Sequence, residues 1–164
     1  MKPFCLAPMA GINSTAFRLL CKENGADIIY TQMYDVNLLC TKTKEEVKKL
    51  LNIKKEEHPV VIQLIGSNLK KFRQTIPLVE GLAEEININV GCIEKRYLEH
   101  DCGAALLKDP EELGYLVKRI VACTKKPISV KIRIGWDGQS LNAVKVCNIL
   151  EDNGVKKIII HGRT

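Results

Sequence analysis

Cys92 stands where a thiol could donate or accept a proton. It follows the alternating segment 85–91 and opens a loop of about seventeen residues that ends before a helix starting at Pro110. A cysteine considered without regard to its position is most often a small buried residue. Loops that follow the strands of an α/β barrel, however, carry function far more often than the strands themselves. Its placement therefore makes Cys92 a candidate for proton transfer, as either donor or acceptor.

Basic side chains in two later segments could face the same site. Lys131 and Arg133 alternate with apolar residues in 128–134, and His161 ends a run of three isoleucines. The cations could be exposed residues of an edge strand, and the histidine could be a satisfied structural residue. If instead they point into a barrel mouth, unpaired charges there are costly without a partner. In that case we expect an anionic or electron-rich ligand.

Other motifs narrow the chemistry. Pro8, Met9 and Ala10 close the first apolar segment, so a ligand could approach their backbone, although a simple tight turn is the alternative. The chain has neither a G-x-G-x-x-G nor a G-x-x-x-x-G-K-[ST] motif, which argues against a dinucleotide fingerprint and a P-loop. Seven cysteines without a C-x-x-C pair suit neither a disulfide framework nor a zinc site. We therefore expect free thiols and no metal.

Short apolar runs alternate with amphipathic stretches along the whole chain. The strand repeat of about 30 residues is typical of βαβ units. The predicted strands are 4–7, 27–30, 60–65, 86–90, 128–134 and 157–161. The predicted helices are 14–24, 44–51, 69–82, 110–124 and 140–153.

This order allows an open doubly wound sheet or a (β/α)8 TIM-barrel type fold that is truncated after about six strands. Alternation favours the barrel, because Asn87 and Asn89 share one face of their strand while isoleucines share the other. Gln63 and His161 occupy similarly late positions in their strands. Polar side chains would thus gather at the carboxyl ends of the strands, where barrel active sites lie.

The composition is that of a globular protein. The chain has 164 residues, 46% hydrophobic and 27% charged, with a net charge of +6. The dispersed basic residues favour polyanionic partners only weakly. No apolar stretch reaches the roughly 18 residues of a membrane span, and we see no cleavable signal pattern. We expect a cytoplasmic protein with no membrane association.

Taken together, five segments resemble the dihydrouridine synthase family, flavin enzymes that reduce particular uridines in transfer RNA. They carry the resemblance along essentially the whole chain, in matching order and spacing. The segments are LAPMAG at 6–11, ININVGC at 86–92, GAALLKDPE at 103–111, VKIRIGWD at 130–137 and IHGRT at 160–164.

The resemblance implies a barrel that holds FMN across its mouth, with NADH or NADPH as electron donor and tRNA as substrate. By this similarity Cys92 is the general acid that protonates C5 of uracil after hydride reaches C6. The residues implied in flavin binding are Pro8, Met9, Ala10, Gln63, Lys131 and His161. Asn89 and Arg133 match positions near the target base.

Two positions depart from the family pattern. Ile93 stands where the family usually has proline after the catalytic cysteine, and Gln32 replaces an acidic residue near the end of the second strand. We expect Ile93 to alter the stiffness of the loop, and Gln32 to shift a substrate contact or the local fold.

Residues 1–164 are expected to form an incomplete catalytic barrel, comprising five βα units and a sixth strand. The family's C-terminal barrel quarter and its helical tRNA-binding domain would then be absent, so a missing region or a second chain would complete the barrel. Two alternatives to the uridine reductase remain open. One is another FMN barrel that acts on a free pyrimidine, as a dihydroorotate dehydrogenase does, and the other is a non-catalytic remnant or RNA-binding partner.

Overall fold

Six parallel strands form one sheet in the computed structural model, which describes residues 3–164. The strands are Cys5–Leu6 (β1), Ile28–Asp35 (β2), Val60–Ile65 (β3), Glu85–Val90 (β4), Ile128–Arg133 (β5) and Lys157–His161 (β6). They are hydrogen-bonded in sequential order from β1 to β6. A doubly wound sheet reverses its strand order at a switch point, whereas successive strands of a (β/α)8 barrel lie side by side. The curled sheet is therefore the predicted TIM-barrel type, with six of its strands in this chain.

Helices connect the strands and pack on one face of the sheet. They are Thr15–Glu23 (α1), Val36–Leu39 (α2), Lys44–Leu51 (α3), Leu69–Val79 (α4), Lys95–Leu98 (α5), Pro110–Val121 (α6) and Ala143–Asp152 (α7). Shorter 3-10 turns span Lys55–Glu57, Glu80–Leu82 and Gly103–Lys108. The five predicted helices are all present. The one-turn helices α2 and α5 were not predicted, because a single turn is too short to show helical periodicity.

The two faces of the sheet differ in chemistry as the alternation predicted. Ile86, Ile88 and Val90 of β4 are fully buried in the main core against the helices. Glu85, Asn87 and Asn89 alternate with them and point to the other face. That face is the barrel interior, and its polar side chains are hydrogen-bonded to one another instead of being solvated.

Strand β2 is longer than predicted. The sequence pattern suggested an end at residue 30, but the strand continues to Asp35 through a register shift between Tyr30 and Met33. Within the bulge, the Thr31 hydroxyl accepts the backbone N–H of Gln63 at 3.2 Å, so a side chain replaces a strand carbonyl. Strand alternation is broken at such a bulge, which is why the pattern ended early.

The outer strands β1 and β6 each pair with a single neighbour among the described residues. Apolar side chains near these edges are exposed, among them Phe4 at 75%, Val144 at 77% and Ile160 at 53%. Single exposed apolar residues are ordinary on a protein surface, but a strand edge without a pairing partner is a place where a further strand can add. No helix within residues 3–164 is both long and apolar enough to cross a membrane.

Candidate active site

A cleft of about 440 Å³ opens at the carboxyl ends of the strands. This volume lies in the range that holds a small ligand or cofactor. Its lining contains eight of the nine site residues expected from the sequence: Pro8, Ala10, Gln63, Asn89, Cys92, Lys131, Arg133 and His161. Met33, Gly91, Ile93 and Glu94 complete the lining. The predicted gathering of these side chains at one opening is thus present in the fold.

Amide side chains form the floor of this cleft. The amide nitrogen of Asn89 donates to Oε1 of Gln63 at 2.9 Å, and Gln63 donates in turn to Oδ1 of Asn87 at 2.7 Å. Asn89 also points its amide nitrogen at the sulfur of Met33, 3.5 Å away. A thioether is a weak acceptor, so a ligand carbonyl could take that hydrogen at little cost. Gln63 keeps one further donor hydrogen and one acceptor lone pair for a ligand.

The loop that carries Cys92 is held from both sides. Oδ1 of Asn89 accepts the backbone N–H groups of Gly91 at 3.0 Å and Cys92 at 2.8 Å. From the far end of the loop, Ala104 donates its N–H to the Cys92 carbonyl at 2.8 Å. Gly103 makes this approach possible, because it has a φ of +62° and a Cβ there would lie 2.5 Å from the Cys92 carbonyl oxygen.

The environment of Cys92 keeps its thiol protonated. Burial raises the pKa of Cys92, and the nearby Glu94 carboxylate adds to that rise. A backbone hydrogen bond from Glu94 and the cations Arg96 and Arg133 oppose it without reversing the direction. A thiol with a raised pKa holds its proton at neutral pH and suits a general acid better than a nucleophile.

Lys131 is the cation most clearly prepared for a ligand. It lies on β5, which is flanked by β4 and β6, so the edge-strand alternative is wrong. Its ammonium group is half-buried, and residues 3–164 offer it no hydrogen-bond acceptor or ion-pair partner within contact distance. Burial lowers the pKa of Lys131, and the neighbouring Arg133 lowers it further. An anionic group in the cleft would relieve both effects.

Arg133 and His161 pair across β5 and β6 at the rim of the cleft. The Arg133 guanidinium is already engaged, because it donates to the Gly91 carbonyl at 2.7 Å and to the Thr164 carbonyl at 2.8 Å. Arg133 therefore braces the start of the Cys92 loop and is not the unpaired cation that its position suggested. Burial lowers the pKa of His161, and Lys131 and Arg133 lower it further, which favours the neutral imidazole.

The turn after β1 approaches the cleft through Pro8 and Ala10. Met9 is absent from the lining, and its carbonyl accepts the N–H groups of Ile12 at 3.3 Å and Asn13 at 3.2 Å. Met9 thus shapes the turn that presents its neighbours. The side-chain oxygen of Gln32 accepts the Gly11 N–H at 2.9 Å. An acidic residue there would also offer an acceptor oxygen, so the departure at position 32 keeps an acceptor while removing the charge.

Three cleft residues escaped sequence reasoning. Met33 lies on the part of β2 beyond the bulge, where alternation no longer indicated which face a side chain occupies. Ile93 was noted only for loop stiffness, but it is 56% exposed and lines the cleft directly. Glu94 belongs to no recognisable motif. Its position two residues after Cys92 was nevertheless a usable signal, because a nearby carboxylate raises the pKa of the Cys92 thiol.

Fold and cleft together define part of an α/β barrel with a polar cleft at the carboxyl ends of its strands. Comparison with known proteins is more specific, since the dihydrouridine synthase family model matches residues 5–164. The tRNA-dihydrouridine synthase B of Pseudomonas syringae pv. tomato is 31% identical over 160 residues, which cover 97% of this chain and 47% of that protein. The Klebsiella pneumoniae protein of the same name is 33% identical over 161 residues, covering 96% of this chain and 49% of that protein.

The chain belongs to the dihydrouridine synthase family, as its resemblance had suggested. It spans about half the length of the curated relatives it matches.

Proposed function

We propose that this chain supplies the chemical half of an FMN-dependent tRNA-dihydrouridine synthase. The observation that carries the proposal is the single cleft in which a protonated thiol, two amides and an unpartnered lysine meet, in a chain of this family. The proposed substrate is a uridine of tRNA, which must leave its stack to reach a cleft of this kind.

The residues of the cleft fit a flavin. Lys131 offers a cation that has no protein partner within residues 3–164, which suits the anionic reduced ring. Gln63 retains one donor and one acceptor for the edge of the ring, while Pro8 and Ala10 offer an apolar approach. His161 would contact the flavin from the β6 side. Met9 would act only through the turn that it shapes. When bound, FMN supplies the hydride that adds to C6 of the uracil ring.

Cys92 supplies the proton in this proposal. Addition of hydride to C6 leaves an enolate-like anion on the uracil, and the Cys92 thiol protonates it at C5. The Cys92 sulfur then carries the negative charge until it regains a proton from solvent. Asn89 would hold the base by exchanging its weak Met33 contact for a uracil carbonyl. Arg133 would hold the Cys92 loop and face the base from the rim.

The remaining parts of the reaction lie outside these residues. We propose that NADH or NADPH re-reduces the cofactor, and that the open edges at β1 and β6 are covered by further strands, from the same gene product or a second chain. Barrels commonly bind phosphate with the loops after strands seven and eight. The 164 residues alone should therefore bind FMN weakly, and their purification with stoichiometric flavin would contradict this. The seven free thiols suit the reducing cytoplasm, where we propose the protein acts.

The experiment that tests the function compares substrates. The full-length product of the gene is incubated with FMN and NADH or NADPH, and given either unmodified tRNA or free orotate, the pyrimidine that NADH or NADPH can reduce. We expect dihydrouridine in digested tRNA by mass spectrometry and no turnover of the free pyrimidine. Turnover of the free pyrimidine alone would favour the dihydroorotate dehydrogenase-like alternative. Loss of both activities, with no flavin bound, would favour a non-catalytic protein.

A further inference from the structure

A buried row of hydrogen bonds runs through the barrel interior beneath the cleft. It begins at Glu85, whose carboxylate accepts the ammonium of Lys157 at 2.6 Å and also the hydroxyl of Ser129. Ser129 accepts the amide nitrogen of Asn87 at 2.7 Å. Asn87 then accepts from Gln63, and Gln63 accepts from Asn89, which in turn accepts the N–H groups of Gly91 and Cys92.

In every hydrogen bond between Glu85 and Cys92, the donor lies on the Cys92 side and the acceptor on the Glu85 side. A carboxylate can only accept, so the Ser129 hydroxyl donates to Glu85 and leaves its oxygen to accept from Asn87. Each following amide must then present its nitrogen toward Glu85 and its oxygen toward the cleft. Burial raises the pKa of Tyr30, and so does the nearby Glu85 charge, so Tyr30 stays a neutral phenol beside the carboxylate. The acceptor-only Glu85 carboxylate thus determines which way the Asn89 amide is oriented at the cleft.

The middle of the row is isolated from water, which makes its order costly to break. Asn87 and Ser129 are fully buried, Gln63 is 1% exposed and Asn89 is 9% exposed. A buried amide that loses its partner incurs the full desolvation penalty of the unpaired group. Water can replace few of these partners at so little exposure. Through Gln63, the orientation of Asn89 therefore depends on Asn87, Ser129 and Glu85, which do not line the cleft.

We infer that Asn87, Ser129 and Glu85 are positioning residues for the Cys92 loop, acting through the oriented amides of Gln63 and Asn89. Their importance for catalysis rests on the function proposed above. Their effect on the loop itself does not, because it requires neither cofactor nor substrate.

Amide hydrogen exchange at Gly91 and Cys92 tests the inference directly. The variant Asn87→Leu removes the middle of the row at similar volume. The matched control is Thr75→Val, on α4 outside the barrel interior. It removes another fully buried hydroxyl, which donates to the Val36 carbonyl at 3.3 Å. We expect exchange at Gly91 and Cys92 to rise about tenfold in Asn87→Leu relative to Thr75→Val, once both are corrected for global stability.

Ser129 provides a second, milder test should Asn87→Leu fail to fold. Ser129→Ala deletes a single oxygen atom and should raise exchange at the same two amides about threefold. Ser129→Thr keeps the hydroxyl and should restore slow exchange, which a purely structural loss would not do. Exchange at both amides within the error of the control, in any variant that folds, would overturn the inference while leaving the proposed function untouched. If the wild-type protein does not reduce uridine in tRNA, the proposed function is refuted while the exchange result still stands.

Discussion

Strands β4 and β6 differ in sequence pattern and in surroundings: β4 alternates polar and apolar residues, whereas β6 places three consecutive isoleucines between Lys157 and His161. Ile88 of β4 is fully buried between sheet and helices, while Ile160 of β6 is 53% exposed. The polar residues of β4 are tied to both neighbouring strands, whereas β6 has one strand partner among residues 3–164. The central strands thus form a buried interior that supports the cleft, whereas the outer strands form open edges among residues 3–164.

The sharpest way to break this comparison is the same substitution in both strands. Ile88→Ala should lower the free energy of unfolding by about 3 kcal/mol, because it leaves a cavity in a close-packed core. Ile160→Ala should change it by less than about 0.5 kcal/mol, as exposed sites usually do. Chemical denaturation of the two variants measures both values. Equal losses would show that β6 is as well packed as β4.

The Cys92 loop gives the next largest effect. Gly103→Ala places a Cβ 2.5 Å from the Cys92 carbonyl oxygen at a φ of +62°, so the loop must shift. We expect a loss of about 2 kcal/mol in unfolding free energy and faster alkylation of Cys92. Gly138→Ala is the control, since its Cβ would meet nothing within 4 Å. If both glycine variants behave alike, the packing of residues 103 and 104 against Cys92 is unimportant.

Lys131, on the central strand β5, tests the contribution of the cleft to cofactor binding. Lys131→Met keeps the half-buried aliphatic stem and removes the charge that faces the cleft. In the full-length product of the gene, FMN affinity should fall about tenfold, because one charge-assisted contact is lost. Lys118→Met, on the exposed face of α6, should leave the affinity unchanged. Flavin fluorescence titration measures both, and an unaltered affinity in Lys131→Met would remove Lys131 from the cofactor site.

The smallest expected effect is a shift in the pH dependence of Cys92 alkylation. Since burial raises the pKa of Cys92, its reaction with iodoacetamide should reach half its maximal rate above pH 9.0, the ordinary thiol value. Uridine reduction that uses this thiol as an acid should hold steady through neutral pH and decline only as pH rises through that raised pKa. A midpoint for alkylation well below 9.0 would indicate a stabilised thiolate and contradict the role of proton donor.

Much of the fold could be predicted from periodicity. The bounds of β3, β6 and α3 agree with those predicted, because their patterns run unbroken between clear turn signals. The extension of β2 could not be predicted, since a bulge shifts the face that each side chain occupies. The residue types of the cleft were also accessible, because parallel strands bring their carboxyl ends together.

The partners of those residues were not accessible from one sequence. Arg133 was expected to be an unpaired cation, but it bonds the Gly91 and Thr164 carbonyls, which are distant in the chain. Ser129 and Glu85 drew no notice, because a serine and a glutamate in a strand are unremarkable until the register places them side by side. Local pattern identifies which face a side chain occupies, while the tertiary register determines what it meets there.

The most direct test of the account is the dihydrouridine content of tRNA in cells whose only dihydrouridine synthase is this protein, compared between two thiol variants. Cys92→Ala removes the cleft thiol, and Cys123→Ala removes a partly buried thiol at the end of α6 that donates to the Arg119 carbonyl. Mass spectrometry of digested tRNA should show dihydrouridine with Cys123→Ala and none with Cys92→Ala, while both proteins bind flavin equally. Wild-type levels of dihydrouridine with Cys92→Ala would contradict the central claim that the thiol in this cleft delivers the proton.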